Sequence, residues 1–548
     1  MNPRLAAVAI VVVALAAGAM IRTASSRASA TFDEIVLVGG GVRGVTTGEW
    51  GMITDQPPLP MLLYGWAAAP AADVRPPEDR SWTFDDRWDY ARALHFGAGN
   101  DPQRVLGRAR WVTTLLAVIL IAGSGAFAWW AASAAVGPAV GASAGLLASV
   151  LTATMPDVLA HGGVAYNDLP LACAFLFAVW ALDVLVRKPT VVSGATAGLA
   201  VAISFGMKMS ALALGPIAVV LLGLEAWSRR VERGTAGLME YLRASSIPIG
   251  TSLVTAWATL AVLYRGDPTL TLFRFNVWRT IAHASGGHPA PAYLMGSTSA
   301  EGWWYYFPVA FLFKTPVVLH LLIIGAIGWA AYRVRTPGGG DAIGLWASSF
   351  ARAPLLGLGV FAAFLMRSDL NAGFRYALPV LPLISVCVAV GAAGWWRTRA
   401  RAAVLVALSA QTVLVWSAWP HFLSWSSVWA GPSDAIDRPL SDSNADWGQG
   451  LLELRDFMAE EDVETVRLSY FGSARPEAYG IDYVALPSFF RLVPERTAAA
   501  EADPRFTVIS VTNLHGLYLQ GRDPFAAYRV REPYRVLAGA LYVFGDDP

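Results

Sequence analysis

Long apolar runs separated by short polar stretches dominate the first 430 residues of the chain. A helix needs roughly 20 mostly apolar residues to cross a bilayer, with a range of about 17–25, and about eleven runs approach this template. They are Ala6–Ile21, Trp111–Ala132, Val136–Met155, Leu169–Val186, Thr190–Phe205, Met209–Ala226, Ile247–Tyr264, Phe307–Tyr332, Ser348–Met366, Tyr376–Trp396 and Ala402–Trp419. The pattern predicts a predominantly α-helical, polytopic membrane protein, although Arg352 interrupts the ninth run.

Basic residues in the short loops predict the orientation of these helices, because cytoplasmic loops carry an excess of lysine and arginine. With a cytoplasmic N-terminus, the short loops on the cytoplasmic side are basic, except the first one, near Val136, which has no charge. Their charges are Arg187, Lys188, Arg229, Arg230, Arg233, Arg243, Arg333, Arg335, Arg397, Arg399 and Arg401. The segments 22–110, 265–304 and 420–548 are then predicted to lie on the outer face. The stretch Ala28–Ala30 resembles a signal-peptidase site, and cleavage there would also leave the following loop outside.

The chain changes character near residue 431. The stretches "VETVRLSYFG", "FTVISVTNLHGLYL" and "YRVLAGALYVFG" are rich in β-forming residues, whereas "GQGLLELRDFMAEED" is typical of a helix. We therefore predict two domains: a transmembrane domain, residues 1–430, whose first outer loop is 22–110, and a small outer α/β domain, residues 431–548.

Composition agrees with a membrane protein and excludes several other classes. The chain of 548 residues is 55% hydrophobic and only 15% charged, whereas soluble proteins carry about a quarter charged residues. The net charge of +1 argues against a nucleic-acid partner, which requires a basic surface. Cys173 and Cys387 lie in apolar runs without CxxC or Cys/His neighbours, which argues against a zinc site and a disulfide framework.

Polar residues that are costly in a membrane collect at the predicted outer ends of the helices, which is a functional hint. Each has an ordinary structural interpretation when taken alone. The acids Asp33, Glu34, Asp168 and Asp446 can start helices, the last before a predicted helix Gly448–Met458. Lys208 and Lys314 can extend to the interface, and Arg375 can be an anchoring charge. Their joint placement on one face predicts a site there.

Six outer segments, in order, resemble the protein O-mannosyltransferase-like glycosyltransferases of family 39, a branch of the polytopic GT-C glycosyltransferases. The segments are "FDEIVLVGGGVRGVTTGEWGMITDQPPLPMLL", "GNDPQRVLGRAR", "LAHGGVAYNDLPLA", "WWYYFPVAFLFKTP", "NAGFRYALPVLP" and "SNADWGQGL", and "YFGSARPEAYGI" extends the likeness into the tail. Two positions depart from the family pattern: Gln56 stands where many relatives have histidine, and Asn167 replaces a common threonine.

The resemblance implies a GT-C fold and transfer of a sugar from a polyprenyl-phosphate carrier to an acceptor on the extracytoplasmic side of a bacterial plasma membrane. It implies Asp33 as catalytic base, with Glu34 beside it and Asp168 as a second acid. The leaving phosphate needs positive charge rather than a general acid, and Lys208, Lys314 and Arg375 are the candidates. Arg375 is favoured because a guanidinium binds phosphate in a bidentate manner. An in-line displacement would invert the anomeric centre.

Further residues are predicted at the acceptor side or rim of this site. They are Gln56, His161, Asn444, Asp446 and Gln449. Trp447 is expected to fix the tail to the membrane domain. The aromatic stretch Glu301–Phe307 is a belt at the interface or a wall that stacks on sugar.

The cofactor and the substrates stay open. Asp33, Glu34, Asp168 and His161 have ligand types that suit a divalent metal ion, but their spacing does not decide whether one binds, and no cofactor is required. The acceptor is a protein, a glycolipid or a polysaccharide, and the donor sugar is not specified. The alternatives are a polytopic transporter, which moves a solute or lipid without transferring a sugar, and a non-catalytic lipid-binding protein on the same fold.

Overall fold

The computed structural model describes most of the chain. The described residues are 2–74, 87–97, 99–286, 291–335, 351–392, 400–432, 434–435, 438–490, 492, 504–519 and 523–545. Parts of two predicted spans, 348–350 and 393–396, lie outside this set, as do the predicted cytoplasmic residues Arg397 and Arg399.

Helices form most of the described structure, as the apolar pattern predicts. They are α1 (Pro3–Ser25), α2 (Glu34–Thr47), α3 (Pro58–Ala68), α4 (Arg87–Phe96), α5 (Pro102–Val136), α6 (Pro138–Ala153), α7 (Pro156–Gly162), α8 (Asp168–Arg187), α9 (Val191–Met207), α10 (Leu214–Leu263), α11 (Thr271–Gly286), α12 (Tyr306–Lys314), α13 (Val317–Arg335), α14 (Arg352–Met366), α15 (Val380–Gly391), α16 (Ala400–Trp416), α17 (Leu451–Glu460) and α18 (Val511–Leu514). The strands are β1 (Ala292–Leu294), β2 (Ser297–Ser299), β3 (Thr465–Ser469), β4 (Asp482–Ala485), β5 (Phe506–Ser510), β6 (Arg535–Leu537) and β7 (Leu541–Gly545).

Four helical segments of the described chain are long and apolar enough to cross a membrane. They are Pro3–Ser25, Pro102–Ala135, Asp168–Arg187 and Met209–Leu263. The bent pairs α6–α7 and α12–α13 raise the number to six if each pair is one span. Shorter apolar helices, α9, α14, α15 and α16, coincide with four further predicted runs. Length and composition therefore support a multi-pass membrane protein, whereas the number eleven stays a prediction.

Prolines break two of the predicted spans. The α6–α7 pair bends by 66° and the α12–α13 pair by 115°. In each break the residue before a proline is extended: Met155 has φ −85° and ψ 116°, and Thr315 has φ −122° and ψ 149°. A proline ring disfavours helical angles in the residue before it. The 50-residue α10 joins two predicted runs through Gly234, whose φ is +66°.

The predicted first outer loop is itself helical, since it contains α2, α3 and α4. Helices α2 and α3 cross where Gly41 meets Gly65. A Cβ atom on Gly41 would lie 2.1 Å from the carbonyl oxygen of Met61, and a Cβ atom on Gly65 would lie 2.2 Å from that of Gly41. The two backbones are therefore in direct contact, and this crossing sets where the first residues of α2 lie.

The tail forms a mixed five-stranded sheet with the order β4-β3-β5-β7-β6. Strand β3 pairs parallel with β4 and β5, whereas β7 pairs antiparallel with β5 and β6. One face of the sheet shares a hydrophobic core with α2–α5 and α17. This core includes Ile35, Leu37, Tyr64, Tyr90, Leu94, Leu106, Leu451, Leu454, Val466, Leu468, Tyr479 and Val508. The tail and the helices of the first outer loop are thus packed around one shared core.

Candidate functional site

Two of the predicted acids start helices that converge at one end of the helical bundle. Asp33 is the residue before α2, and its side chain makes no capping hydrogen bond. Asp168 is the first residue of α8, and its two carboxylate oxygens accept from Lys208 and Arg375. Neither carboxylate is therefore used to cap its helix, which favours the functional interpretation over the structural one.

Arg375 is the centre of a charged cluster. It lies in a short 3₁₀ turn, Phe374–Ala377, that precedes α15. Its Nη1 donates to Asp168 Oδ2 at 3.2 Å, and its Nη2 lies 3.6 Å from Asp33 Oδ2. Lys208, in the extended connection after α9, pairs with the other oxygen of Asp168. The structure thus brings together four of the predicted site residues from four separate chain segments.

Aromatic rings enclose the two cations. The Arg375 Cζ atom lies 4.4 Å from the ring centroid of Trp447, 4.8 Å from that of Tyr376 and 5.3 Å from that of Tyr166. The Lys208 Nζ atom lies 4.7 Å from the Tyr376 centroid. Cations held over aromatic faces are attracted by the ring quadrupole, more strongly when water is excluded. The rings therefore shield both positive charges partly from solvent.

The segment 441–444 fastens the Arg375 turn in place. Ser443 Oγ donates to the carbonyl of Ala372 at 2.6 Å and accepts from Arg375 Nε at 3.2 Å. Asn444 Oδ1 accepts from the amide of Phe374 at 2.8 Å, while its Nδ2 donates to Tyr306 Oη. Asn444 was predicted at the acceptor rim, but its amide group is engaged in holding the turn that carries Arg375.

Sequence reasoning missed a third acid near the cluster. Asp442 is half-buried, and its Oδ2 accepts from Tyr518 Oη at 2.7 Å while its Oδ1 accepts from the amide of Ser443 at 2.6 Å. Its φ of +57° is rare for a residue other than glycine. The sequence "SDSN" did indicate a functional segment, because it contains more polar residues than the start of a helix requires. Tyr518, 76 positions away, gave none.

The surroundings of Asp33 suit a group that exchanges a proton. Its side chain is 26% exposed, so it is open on one side. Burial raises the pKa of the Asp33 carboxyl above its ordinary value; the charge of Arg375 opposes the rise, and those of Asp168 and Asp442 add to it. Burial also raises the pKa of Asp442, to about 6. Catalytic acids and bases are commonly tuned in this way.

Glu34 has different partners from Asp33 and a different environment. Arg110 donates to both of its carboxylate oxygens, at 2.8 and 2.7 Å, and the amide of Ala165 donates at 2.8 Å. Burial alone would raise the pKa of Glu34, but the charge and hydrogen bonds of Arg110 bring it below its ordinary value. The geometry therefore favours a structural part for Glu34, the tie between α2 and α5, over the predicted catalytic one.

Lys314 is also held by the fold. Its Nζ donates to the carbonyls of Leu423, Trp425 and Asn444, at 2.8, 3.0 and 2.9 Å. An ammonium group has three donors, and all three are used. The geometry favours a structural anchor over the predicted phosphate ligand.

The predicted rim residues are spread around the cluster. His161 is buried, 3.9 Å from Asp157 Oδ1 and edge-on to Trp447, so it lies under the site. Gln56 accepts from Asn167 Nδ2 at 2.9 Å and is half-buried beside α8. Gln449 braces its own turn, accepting from the amide of Trp447 and donating to the carbonyl of Ala445.

Asp446 does not cap the tail helix, so the capping interpretation of this acid is wrong, whereas its place at the acceptor rim stays a prediction. The helix begins at Leu451 rather than Gly448, and its N-cap is Gly450. The buried Asp446 carboxylate accepts instead from the amides of Gly448 and Thr512, at 3.2 and 3.4 Å. Burial raises its pKa to about 7. Asp446 therefore ties the turn around Trp447 to α18, which follows strand β5.

No group of three or more His, Cys, Asp or Glu side chains that could hold a metal ion occurs among the residues that the structure describes. Asp33 and Asp168 do lie together, but basic residues separate them. Glu34 and His161, the other two predicted ligands, have the partners described above.

An apolar cavity of about 570 Å³ opens next to the charged cluster. Helices α12–α15 and the Arg375 turn enclose it. Its lining includes Phe311, Ile323, Leu358, Ala362, Phe374, Ala377, Leu381 and Cys387. Phe374 and Ala377 belong to the turn that carries Arg375, so the cavity borders that turn.

Comparisons with known proteins assign no family to the chain. No family model matches it, and no curated protein has a significant match. Two solved structures resemble it: ArnT from Cupriavidus metallidurans bound to undecaprenyl phosphate, with 15% identity over 78% of this chain and 68% of that chain and a TM-score of 0.45; and ArnT from Cupriavidus metallidurans in the apo state, with 12% identity over 97% of each chain and a TM-score of 0.46. Similarity at this level assigns neither family nor activity, and membership of family 39 stays a prediction.

Proposed function

We propose that the chain is a membrane glycosyltransferase that moves a sugar from a polyprenyl-phosphate carrier to an acceptor hydroxyl. One observation carries the proposal: an apolar cavity borders the turn that carries Arg375, and Arg375 lies beside the partly open carboxylate of Asp33 and shares Asp168 with Lys208. A polyprenyl-phosphate sugar combines the matching parts, which are an apolar chain, an anionic phosphate and an electrophilic sugar carbon. On the predicted topology, this end of the bundle is the extracytoplasmic one.

Arg375 and Lys208 bind the donor phosphate in this proposal. As the bond between sugar C1 and the phosphate oxygen breaks, its electron pair stays on the phosphate, and the two cations stabilise that charge. Positive groups already aimed at the place where charge develops are an effective form of catalysis. Asp168 holds both cations in position through one carboxylate oxygen each.

Asp33 acts as the base. It accepts the proton of the acceptor hydroxyl while the acceptor oxygen forms a bond to C1 on the face opposite the phosphate, which inverts the anomeric centre. A raised pKa makes a carboxylate a stronger base, and the exposed side of Asp33 gives an acceptor access. Glu34 and Lys314 are given structural parts, and no step requires a metal ion.

The test is transfer of label from a radiolabelled polyprenyl-phosphate sugar by the purified full chain, with a bacterial envelope extract as acceptor. Ala362→Trp fills the cavity and is expected to reduce transfer at least about tenfold. Ala363→Trp, on the same helix but exposed outside the cavity, is the matched control and is expected to retain transfer. Absence of transfer by the wild type supports the transporter alternative, and equal loss in both variants removes the cavity from the proposal.

A further inference from the structure

A column of stacked aromatic rings lies where the tail meets the first outer segment. Tyr518 stacks on Phe471 at 5.1 Å between centroids, Phe471 on Phe32 at 5.1 Å, and Phe32 on Phe490 at 5.2 Å. The Arg92 guanidinium covers the far face of this column, 3.8 Å from the Phe490 centroid. We call the four rings of Tyr518, Phe471, Phe32 and Phe490, together with Arg92, the aromatic column.

The aromatic column is attached to the candidate site at two points. Phe32 is the residue before Asp33, so their Cα atoms are about 3.8 Å apart. Tyr518 donates to Asp442 at the edge of the charged cluster. The apolar cavity borders the turn that carries Arg375, through Phe374 and Ala377. The aromatic column therefore adjoins Asp33, and the cavity adjoins the Arg375 turn.

One ring beside the column is open. Phe489 contacts Phe32, Phe490 and Tyr518 at centroid distances of 5.6, 4.9 and 5.3 Å, and it is 42% exposed. Phe32, Phe490 and Tyr518 are only half-buried. Contiguous exposed aromatic surface beside polar groups is typical of a binding site, and rings fixed by stacking lose little entropy when a ligand binds.

We propose that Phe489 and the aromatic column form the acceptor subsite, and that the acceptor group bound there is a sugar ring. This rests on the proposed function, in which Asp33 accepts a proton from the acceptor. The face of an aromatic ring is electronegative, and a pyranose presents a row of slightly positive C–H groups on its own face. Stacking on Phe489 directs the hydroxyl groups at the ring edge toward Asp33. A serine or threonine side chain has no such face and gains little from the platform.

Binding of sugars is measured by saturation-transfer difference NMR on the full chain in detergent. The probes are methyl glycosides of glucose, mannose, N-acetylglucosamine and galacturonic acid, with a serine- and threonine-containing peptide as the competing acceptor class. At least one glycoside is expected to show signals on its ring C–H protons. Phe489→Ala should reduce them at least about fivefold, and Phe489→Tyr, which keeps the ring, should restore them.

A control separates this subsite from the rest of the molecule. Trp278→Ala removes an aromatic ring on α11 that is 65% exposed and should leave the signals unchanged. The measurement contains no sugar donor, so glycoside binding is observed whether or not the proposed transfer activity is found. The inference is overturned if no glycoside binds, if binding survives Phe489→Ala, or if the peptide alone gives a signal that depends on Phe489.

Discussion

Asp33 and Glu34 are neighbours in the sequence with opposite surroundings in the structure. Glu34 is fully buried and paired with Arg110 through two hydrogen bonds, whereas Asp33 is partly open and faces Arg375 at 3.6 Å. The resemblance implies Asp33 as base with Glu34 beside it, but the pairing of Glu34 was not predictable, because its partner is an arginine 76 positions away. The presence of two neighbouring acids was evident from the sequence. The side chains and backbone groups that pair with each acid were not.

Substituting each of the two acids separates their parts. Glu34→Gln leaves Arg110 buried without its counter-charge, and breaking such a pair costs about 3–5 kcal/mol, so the thermal midpoint in detergent should fall clearly. Asp33→Asn should abolish transfer with a midpoint close to that of the wild type. Equal midpoints for the wild type and Glu34→Gln would contradict the structural part given to Glu34.

Asp442 predicts a pH dependence of donor binding. With its pKa raised to about 6, Asp442 is protonated below that pH and negative above it. A negative charge near Arg375 opposes an anion, so affinity for a polyprenyl phosphodiester of a sugar should fall as pH rises through about 6. The phosphodiester itself keeps one charge over this range.

Asp442→Asn is the matched variant for this effect. An asparagine keeps the shape and one acceptor oxygen but has no charge to gain, so binding should lose this step between pH 5 and 8. Titration calorimetry or a filter-binding assay at these two pH values measures it. A step of the same size in the variant would show that another group is responsible.

At the scale of elements, proline and glycine explain where the structure follows the apolar runs and where it departs from them. The runs predict the helices well, but Pro156 and Pro316 split two of them, because the preceding residues are extended. A window that counts only apolar residues is insensitive to such a break. The helices α2–α4 of the first outer loop were not predicted, because none of them is an apolar run long enough to cross a membrane. Contact with the tail stabilises them instead.

The crossing of α2 and α3 predicts a sensitive position away from the charged cluster. In Gly41→Ala the new methyl group would meet the Met61 carbonyl oxygen at 2.1 Å, so the helices must separate and Asp33 must shift. Overpacking of this kind costs about 1–3 kcal/mol, and transfer should fall with the thermal midpoint. Gly51→Ala, which meets no atom within 4 Å, should match the wild type; a normal Gly41→Ala would contradict the close contact.

At the scale of the whole molecule, one hydrophobic core joins chain segments more than 400 positions apart. Residues of α2, such as Ile35 and Leu37, share it with Leu451 and Leu454 of α17. The strand and helix content of the tail was predictable from local patterns. The packing of the tail against α2–α4 was not predictable. A periodic pattern shows that one face of an element is buried, but it does not show which distant segment buries it.

Loss of one tail side chain should therefore loosen the first outer segment. Leu454 is fully buried, and Leu454→Ala should cost about 2–5 kcal/mol. Hydrogen–deuterium exchange should rise in both α17 and α2–α4. Leu405→Ala, at a half-exposed position of α16, should change neither. Faster exchange confined to the tail would show that the two parts are independent.

In the proposed function, a polyprenyl phosphate lies with its phosphate at Arg375 and Lys208 and its chain in the apolar cavity. A cryo-electron microscopy map of the full chain in a lipid nanodisc with a polyprenyl phosphate tests this directly. We expect phosphate density within hydrogen-bond distance of both cations and chain density along Phe311, Ala377 and Leu381. Phosphate density at any other place, with the cavity free of chain density, would contradict it.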